Sequence, residues 1–284
     1  MLSSFILIAL LTDTGYAIKP YTANGRIFYK ATNDSNVNIA SMTKDGHDKK
    51  IITDNDGSYD YLFLVISPNG QKLAYIARNI NTDQYSAYVV GDDGSNPQEI
   101  IPPGDRIYSL AWSPDSEKIA YDTYDYDNSY SQIKTTDITT PSPITLPIDL
   151  SGADYLNENV LYIAWSINDT FAFILSNDLI YSVGIDGSNL QVLTEDDSWP
   201  AAEPTSIAWS PDGKKLVFTA DYCLGTTSCI VTMNANGSNK NILVNRTERS
   251  KDDNRYILHP VNASWSPDGK KIIFAKRAEG GPFD

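Results

Sequence analysis

"WSPDGKK" runs from Trp209 to Lys215, and the same seven residues return at Trp265–Lys271. Relatives of this heptad lie at Ile66–Lys72 (ISPNGQK), Trp112–Lys118 (WSPDSEK) and Trp165–Phe171 (WSINDTF). The steps between first positions range from 44 to 56 residues. An irregular period near fifty describes a constant unit joined by loops of variable length.

A second motif runs between the copies: KDGHD (Lys44–Asp48), DDGSN (Asp92–Asn96), IDGSN (Ile185–Asn189) and ANGSN (Ala235–Asn239). The third unit has TTPSP (Thr139–Pro143) instead. The unit around Trp209 reads as four short strands: SIAW, KKLVFTA, CIVTMN and KNILV, with SPDG and ANGSN as turns. Pro211 presets φ for a type I turn and Asp212 can bond to nearby backbone N–H groups. Gly213 supplies the positive φ of a three-residue hairpin. Pro267, Asp268 and Gly269 repeat these roles in the last copy. Trp112, Trp165, Trp209 and Trp265 each start a face that a neighbouring unit must cover. Truncating Trp209 to Ala is expected to cost about 3–5 kcal/mol.

Four-stranded antiparallel units at this spacing predict an all-β chain folded as a β-propeller. Apolar second strands such as KIIFA (Lys271–Ala275) suit sheets buried on both faces. The count is six blades, the last incomplete, with two strands before Asp284. Ala17–Ala23 could add a strand to it, or further strands follow Asp284.

The chain "WSPDGKKIIFA", with "DGSN" one strand later in the unit, resembles the TolB-type propeller repeat. The resemblance covers about residues 25–277. It implies an exported six-bladed propeller, and it implies little about function, because one fold hosts many roles. The resemblance would also imply an α/β domain ahead of the propeller, and none is expected here because few residues precede the first blade. Propeller lyases of pectic sugars use clustered histidines and a metal, whereas this sequence has only His47 and His259.

The net charge of −14 over 284 residues repels phosphates, which argues against nucleic-acid partners and anionic membranes. Residues 1–17 read as a signal peptide: Phe5–Leu11 is apolar, and Gly15-Tyr16-Ala17 offers a cleavage site. The propeller then occupies residues 18–284 of a periplasmic or extracellular protein, expected as a monomer with no membrane span. Export would favour a disulfide between Cys223 and Cys229 across a hairpin.

First-to-second and third-to-fourth turns share one face of a propeller, so the uniform SPDG and DGSN turns mark a structural face. Variation gathers on the opposite face, at Thr53–Tyr61, Arg78–Ser86, Asp122–Ser131, Glu195–Pro204 and the other connections. Loops of uneven length on a rigid scaffold are where binding residues concentrate. Tyr124, Tyr126 and Trp199 are the aromatic candidates there. Trp199 either anchors a partner or folds back onto the blades.

Asp122, Asp125 and Asp127, or Asp54, Asp56 and Asp60, could supply oxygens to Ca²⁺, although solvated acidic turns account for both groups and no cofactor is expected. There is no G-x-S-x-G elbow, H-E-x-x-H pair or Gly-rich phosphate loop. Five Asn-x-Ser/Thr sequons, at Asn33, Asn168, Asn236, Asn245 and Asn262, matter only in a glycosylating host. The expectation is a non-enzymatic module that binds a protein or polysaccharide through its loop face. The alternative is the substrate-gating propeller of a prolyl-oligopeptidase- or tricorn-like peptidase continuing past Asp284.

Overall fold

The computed structural model describes residues 8–9, 26–33, 36–43, 45–104, 106–125, 127, 129–150, 158–194, 203–223, 227–244, 248–249, 257–266 and 268–279. These contain strands and turns and no helix. They form six sheets, five of four strands and one of three, arranged as a β-propeller.

Blade two is typical. Tyr59–Ile66, Lys72–Asn79, Tyr85–Gly91 and Gln98–Gly104 pair in sequence as an antiparallel meander. Blade three uses Leu110–Trp112, Lys118–Asp125, Tyr130–Asp137 and Ile144–Thr145. Blade four uses Val160–Trp165, Thr170–Leu175, Ile180–Gly184 and Gln191–Val192. Blade five uses Glu203–Trp209, Lys215–Cys223, Thr227–Asn234 and Asn241–Val244. Blade one is the three-stranded sheet, with Arg26–Asn33, Asn36–Thr43 and Lys50–Ile51 matching second to fourth strands elsewhere.

The last unit contributes Ile257–Trp265 and Ile272–Glu279. Glu248–Arg249 pairs with the former, and Ile8–Ala9 runs parallel to the latter at Phe274 and Ala275. The strand added from the N-terminus therefore comes from within the expected signal peptide. The proposed closing segment Ala17–Ala23, and the rest of residues 1–17, lie outside the described residues.

Apolar clusters fill the space between successive blades, because second strands are buried on both sides. In blade two, Leu73, Tyr75 and Ala77 face blade one, while Ala74 and Ile76 face blade three. In blade five, Leu216, Phe218 and Ala220 face blade four, while Val217 faces the last blade. A period of two with apolar residues at both phases makes a sheet sandwiched between neighbours.

The Ser-Pro-Asp-Gly motif closes on itself. In blade five the Ser210 hydroxyl donates to Asp212 Oδ1 (2.6 Å) and accepts the Lys215 N–H (2.9 Å). Asp212 Oδ1 also accepts the Lys214 N–H at 3.1 Å. Ser266, Asp268, Lys270 and Lys271 repeat these contacts at 2.6, 3.1 and 2.9 Å. Ser67–Asn69 and Ser113–Asp115 do the same in blades two and three. The Ser210 hydroxyl, ahead of the backbone N–H, holds Asp212 below the usual carboxylate range.

Each turn also rests on the one before it. A Cβ on Gly213 would lie 2.4 Å from Asn168 Nδ2 and 2.8 Å from Ser166 Oγ. Its φ is +66°, a region L side chains rarely adopt. Blade three has Ser116 at the corresponding position with φ 65°, and there the hydroxyl accepts the Asn69 N–H of blade two at 3.1 Å. The DGSN turns follow the same rule: a Cβ on Gly187 would lie 2.1 Å from the Pro147 carbonyl oxygen of blade three. Turn identity thus reflects contact between blades as well as local geometry.

Candidate functional site

First strands of successive blades lie against one another around the centre. Four of them carry a register shift at a similar level, at Tyr61/Leu64, Val160/Tyr162, Pro204/Ser206 and Val261/Ser264. A bulge bends a strand and re-aims its side chains. Here Phe63 of blade two and Tyr162 of blade four meet across the centre, with ring centroids 6.1 Å apart. Together with Ser206, Ile207 and Asn262 they line a central cavity of about 130 Å³. Burial, with the Asp221 charge second, raises the Tyr162 phenol above its ordinary pKa.

A larger cavity of about 590 Å³ opens on the variable-loop face at the end of blade two, beside the connection to blade three. The hairpin loop after Lys72–Asn79 supplies Thr82, Asp83 and Gln84, the end of the strand Gln98–Gly104 supplies Gly104, and the connection to blade three supplies Arg106. Arg78, at the end of its strand, donates through Nε to Asp83 at 2.6 Å. The Arg106 guanidinium stands 4.3 Å over the ring of Tyr108. Sequence reading selected the Arg78–Ser86 loop but neither arginine. They are 28 positions apart in sequence, and only the blade topology brings them together.

Asp122 anchors this wall from beneath. It accepts the N–H groups of Tyr108 (2.9 Å) and Ser109 (2.8 Å). Sequence reading placed Asp122 at the head of a loop. It is instead an interior residue of the strand Lys118–Asp125, 2% exposed. Burial raises its pKa to about 7, against the opposing pull of the two N–H donors and, last, the charge of Arg106.

Two of the three carboxylates of the other acidic cluster are also spent on local structure. Asp56 accepts the Ser58 N–H at 2.9 Å, and Asp60 pairs with Lys30 at 3.8 Å. Asn55, which sequence reading passed over, is buried and donates to the Val37 and Tyr59 carbonyls. Thr53–Tyr61 is therefore largely a brace between blades one and two, and Tyr59 already begins a strand. Among the described residues no group of three or more His, Cys, Asp or Glu side chains is placed to hold a metal.

Of the aromatic candidates, Tyr124 is half-buried on the strand Lys118–Asp125, opposite Ser131. Tyr126 and Trp199 lie outside the described residues, as does Pro267. Cys229 is fully buried and disulfide-bonded. Cys223 ends the strand Lys215–Cys223, in register with Thr227.

The turn face is not featureless. A groove of about 460 Å³ separates blade five from the last blade, lined by Pro211, Leu243, Trp265, Gly269, Ile272 and Phe274 among others. Both copies of the opening heptad border it, which sequence reading did not anticipate.

Residues 69–282 match the TolB β-propeller domain family, and the chain belongs to that family. It is 25% identical over 166 residues to the Tol-Pal system protein TolB of Bordetella pertussis, covering 58% of this chain and 36% of that protein. The chain thus spans about a third of that relative's length. TolB from Acinetobacter baumannii superposes with a TM-score of 0.62 at 16% identity, covering 90% of this chain and 64% of that one. An oligogalacturonate lyase in complex with manganese gives 0.62 at 13% identity, covering 92% and 86%. At these identities the structural matches speak for the fold alone. No helix among the described residues is long and apolar enough to cross a membrane.

Proposed function

We propose that this chain is an exported, non-enzymatic propeller, periplasmic or extracellular, that binds a partner protein through its variable-loop face. The observation that carries this reading is the asymmetry of the two faces. Serine, aspartate and glycine of the Ser-Pro-Asp-Gly turns are committed to their own hydrogen bonds and to the neighbouring turn. The opposite face presents unequal loops and a cavity of about 590 Å³. Rigid scaffold with variable loops is the usual arrangement for recognition. A relative named as a Tol-Pal system protein favours a protein partner over a polysaccharide.

The test is affinity capture on the purified chain, with a glycan array run in parallel. A partner protein should be retained by the parent and by Asp212→Asn, and lost or weakened with Tyr124→Ala and Trp199→Ala. Retention by both loop variants and loss with Asp212→Asn would move the site to the turn face. Binding confined to the glycan array would replace the protein by a polysaccharide.

A further inference from the structure

We infer that the cavity at the loop end of blade two is a carboxylate-binding subsite, with Arg78 and Arg106 as its two cationic walls. The inference deepens the proposed function, on which it rests for the choice of face.

The chain carries 36 acidic and 22 basic residues, so two guanidinium groups lining one cavity depart from its general character. Arg106 takes part in none of the ion pairs formed among the described residues. The Tyr108 ring, 4.3 Å away, occupies one side of its guanidinium. Arg78 is held by Asp83 through Nε, so its terminal nitrogens remain available on the side away from that contact. Asp83 offsets part of the Arg78 charge and fixes its direction at the same time. Arg106 has no such ion-pair partner among the described residues, its charge acting on Asp122 only as the last of that group's influences.

The backbone just after Arg106 is firmly held. Two residues further on, the Tyr108 N–H is held by buried Asp122, and so is the next N–H, of Ser109. A planar fork held in place is what bidentate recognition of a carboxylate requires. A cavity of about 590 Å³ admits more than one carboxylate-bearing side chain. The ligand is therefore a carboxylate, either on an acidic segment of a partner protein or on a free organic acid.

The test is calorimetric titration of the full chain at low ionic strength with hexaglutamate, hexaglutamine and glutarate. Hexaglutamate should bind and hexaglutamine should not. Arg106→Gln and Arg78→Gln should each weaken hexaglutamate about tenfold or more, as loss of a charge-assisted fork does. Arg106→Lys should fall between, because it keeps the charge and loses the fork and the stack. Comparable binding of glutarate assigns the site to free acids, and binding of hexaglutamate alone assigns it to a protein segment. Thermal unfolding of each variant, expected to match the parent, separates binding from folding.

Equal affinity for hexaglutamate and hexaglutamine, no binding of either carboxylate probe, or indifference to both glutamine variants would overturn the inference. A partner protein that binds Arg106→Gln normally and Tyr124→Ala weakly would leave the proposed function standing and remove this subsite. Hexaglutamate binding that depends on Arg106, without any partner protein, would do the reverse.

Discussion

The indole N–H of Trp209 donates to the main-chain carbonyl of Ala164, 3.2 Å away in the preceding blade. Trp112 repeats the contact with Val65 at 3.0 Å. In both cases the acceptor precedes the residue that occupies the tryptophan's own place in the neighbouring unit. The same tryptophan thus packs one blade on the next and fixes their relative height. Trp165 and Trp265 occupy equivalent positions, yet their buried Nε1 atoms have no acceptor among the described residues.

This difference makes the four tryptophans unequal. Trp→Phe removes a hydrogen bond at positions 112 and 209, leaving a carbonyl short of a donor. At 165 and 265 it removes an unpaired donor. Trp112→Phe and Trp209→Phe should therefore be less stable than Trp165→Phe and Trp265→Phe by about 1–2 kcal/mol. Denaturant unfolding of the four variants provides the comparison. Equal losses would mean that volume alone matters there. For full truncation, Trp112 is 4% exposed while Trp209 is half-buried, so Trp112→Ala should be the costlier.

Gly46 and Gly187 separate strain from crowding. Both have positive φ, +85° and +80°, but a Cβ on Gly46 meets nothing within 4 Å, while on Gly187 it would meet the Pro147 carbonyl oxygen. Gly46→Ala should cost roughly 1–3 kcal/mol from backbone strain alone. Gly187→Ala should cost about 1–3 kcal/mol more, because a backbone oxygen cannot swing aside. Thermal unfolding of the two variants would measure the gap. Equal losses would mean that blades three and four part easily at their turns.

Asp122 sets a pH dependence of stability. Its folded pKa of about 7 lies above the roughly 3.9 of an unfolded aspartate. Between those values the folded chain binds more protons than the unfolded one, so this group's contribution falls as pH rises from about 4 to about 7. Asp122→Asn retains an oxygen for the Tyr108 and Ser109 N–H groups and abolishes the titration. Its melting temperature should lose the fall that the parent shows over this range, and at pH 8 it should match or exceed the parent. A variant that keeps the fall would assign the dependence to another group.

Cys223 and Cys229 enclose a short hairpin, and Cys229 is disulfide-bonded. Non-reducing peptide mapping should recover the two cysteines in one linked fragment. Closing so small a loop is worth about 2 kcal/mol on the chain-entropy estimate. Reductant should lower the melting temperature of the parent and leave Cys229→Ser unaffected. Recovery of free thiols from the native chain would contradict the pairing.

Much of the architecture was legible because propeller blades are written in local code. Pro211, Asp212 and Gly213 announce a turn within a few residues, and their recurrence announces the blade. What escaped reading depends on neighbours remote in sequence. Phe63 and Tyr162 look like ordinary strand residues until bulges turn them toward the centre. Asp122 sits in a run of Tyr and Asp that resembles a polar loop, and burial is invisible in composition. Arg78 lies at the end of the second strand of blade two and Arg106 in the connection that leaves that blade, and nothing in either segment signals the other. The groove beside Trp265 forms between two copies of a motif that, read singly, describes only a hairpin.

The contact between Gly213 and the turn of blade four has a consequence for how such a chain can change. A unit whose turn accepts its predecessor's turn is complementary to a copy of itself. Duplicating its gene segment therefore delivers both halves of a new junction at once. Residues at the junction are bound by that complementarity on two sides, and a change in one blade asks for an answer in the next. Loops at the other end, the Thr53–Tyr61 brace apart, meet less of this demand, so they can lengthen, shorten and acquire charge one at a time. The molecule can thus explore new partners without renegotiating its own assembly.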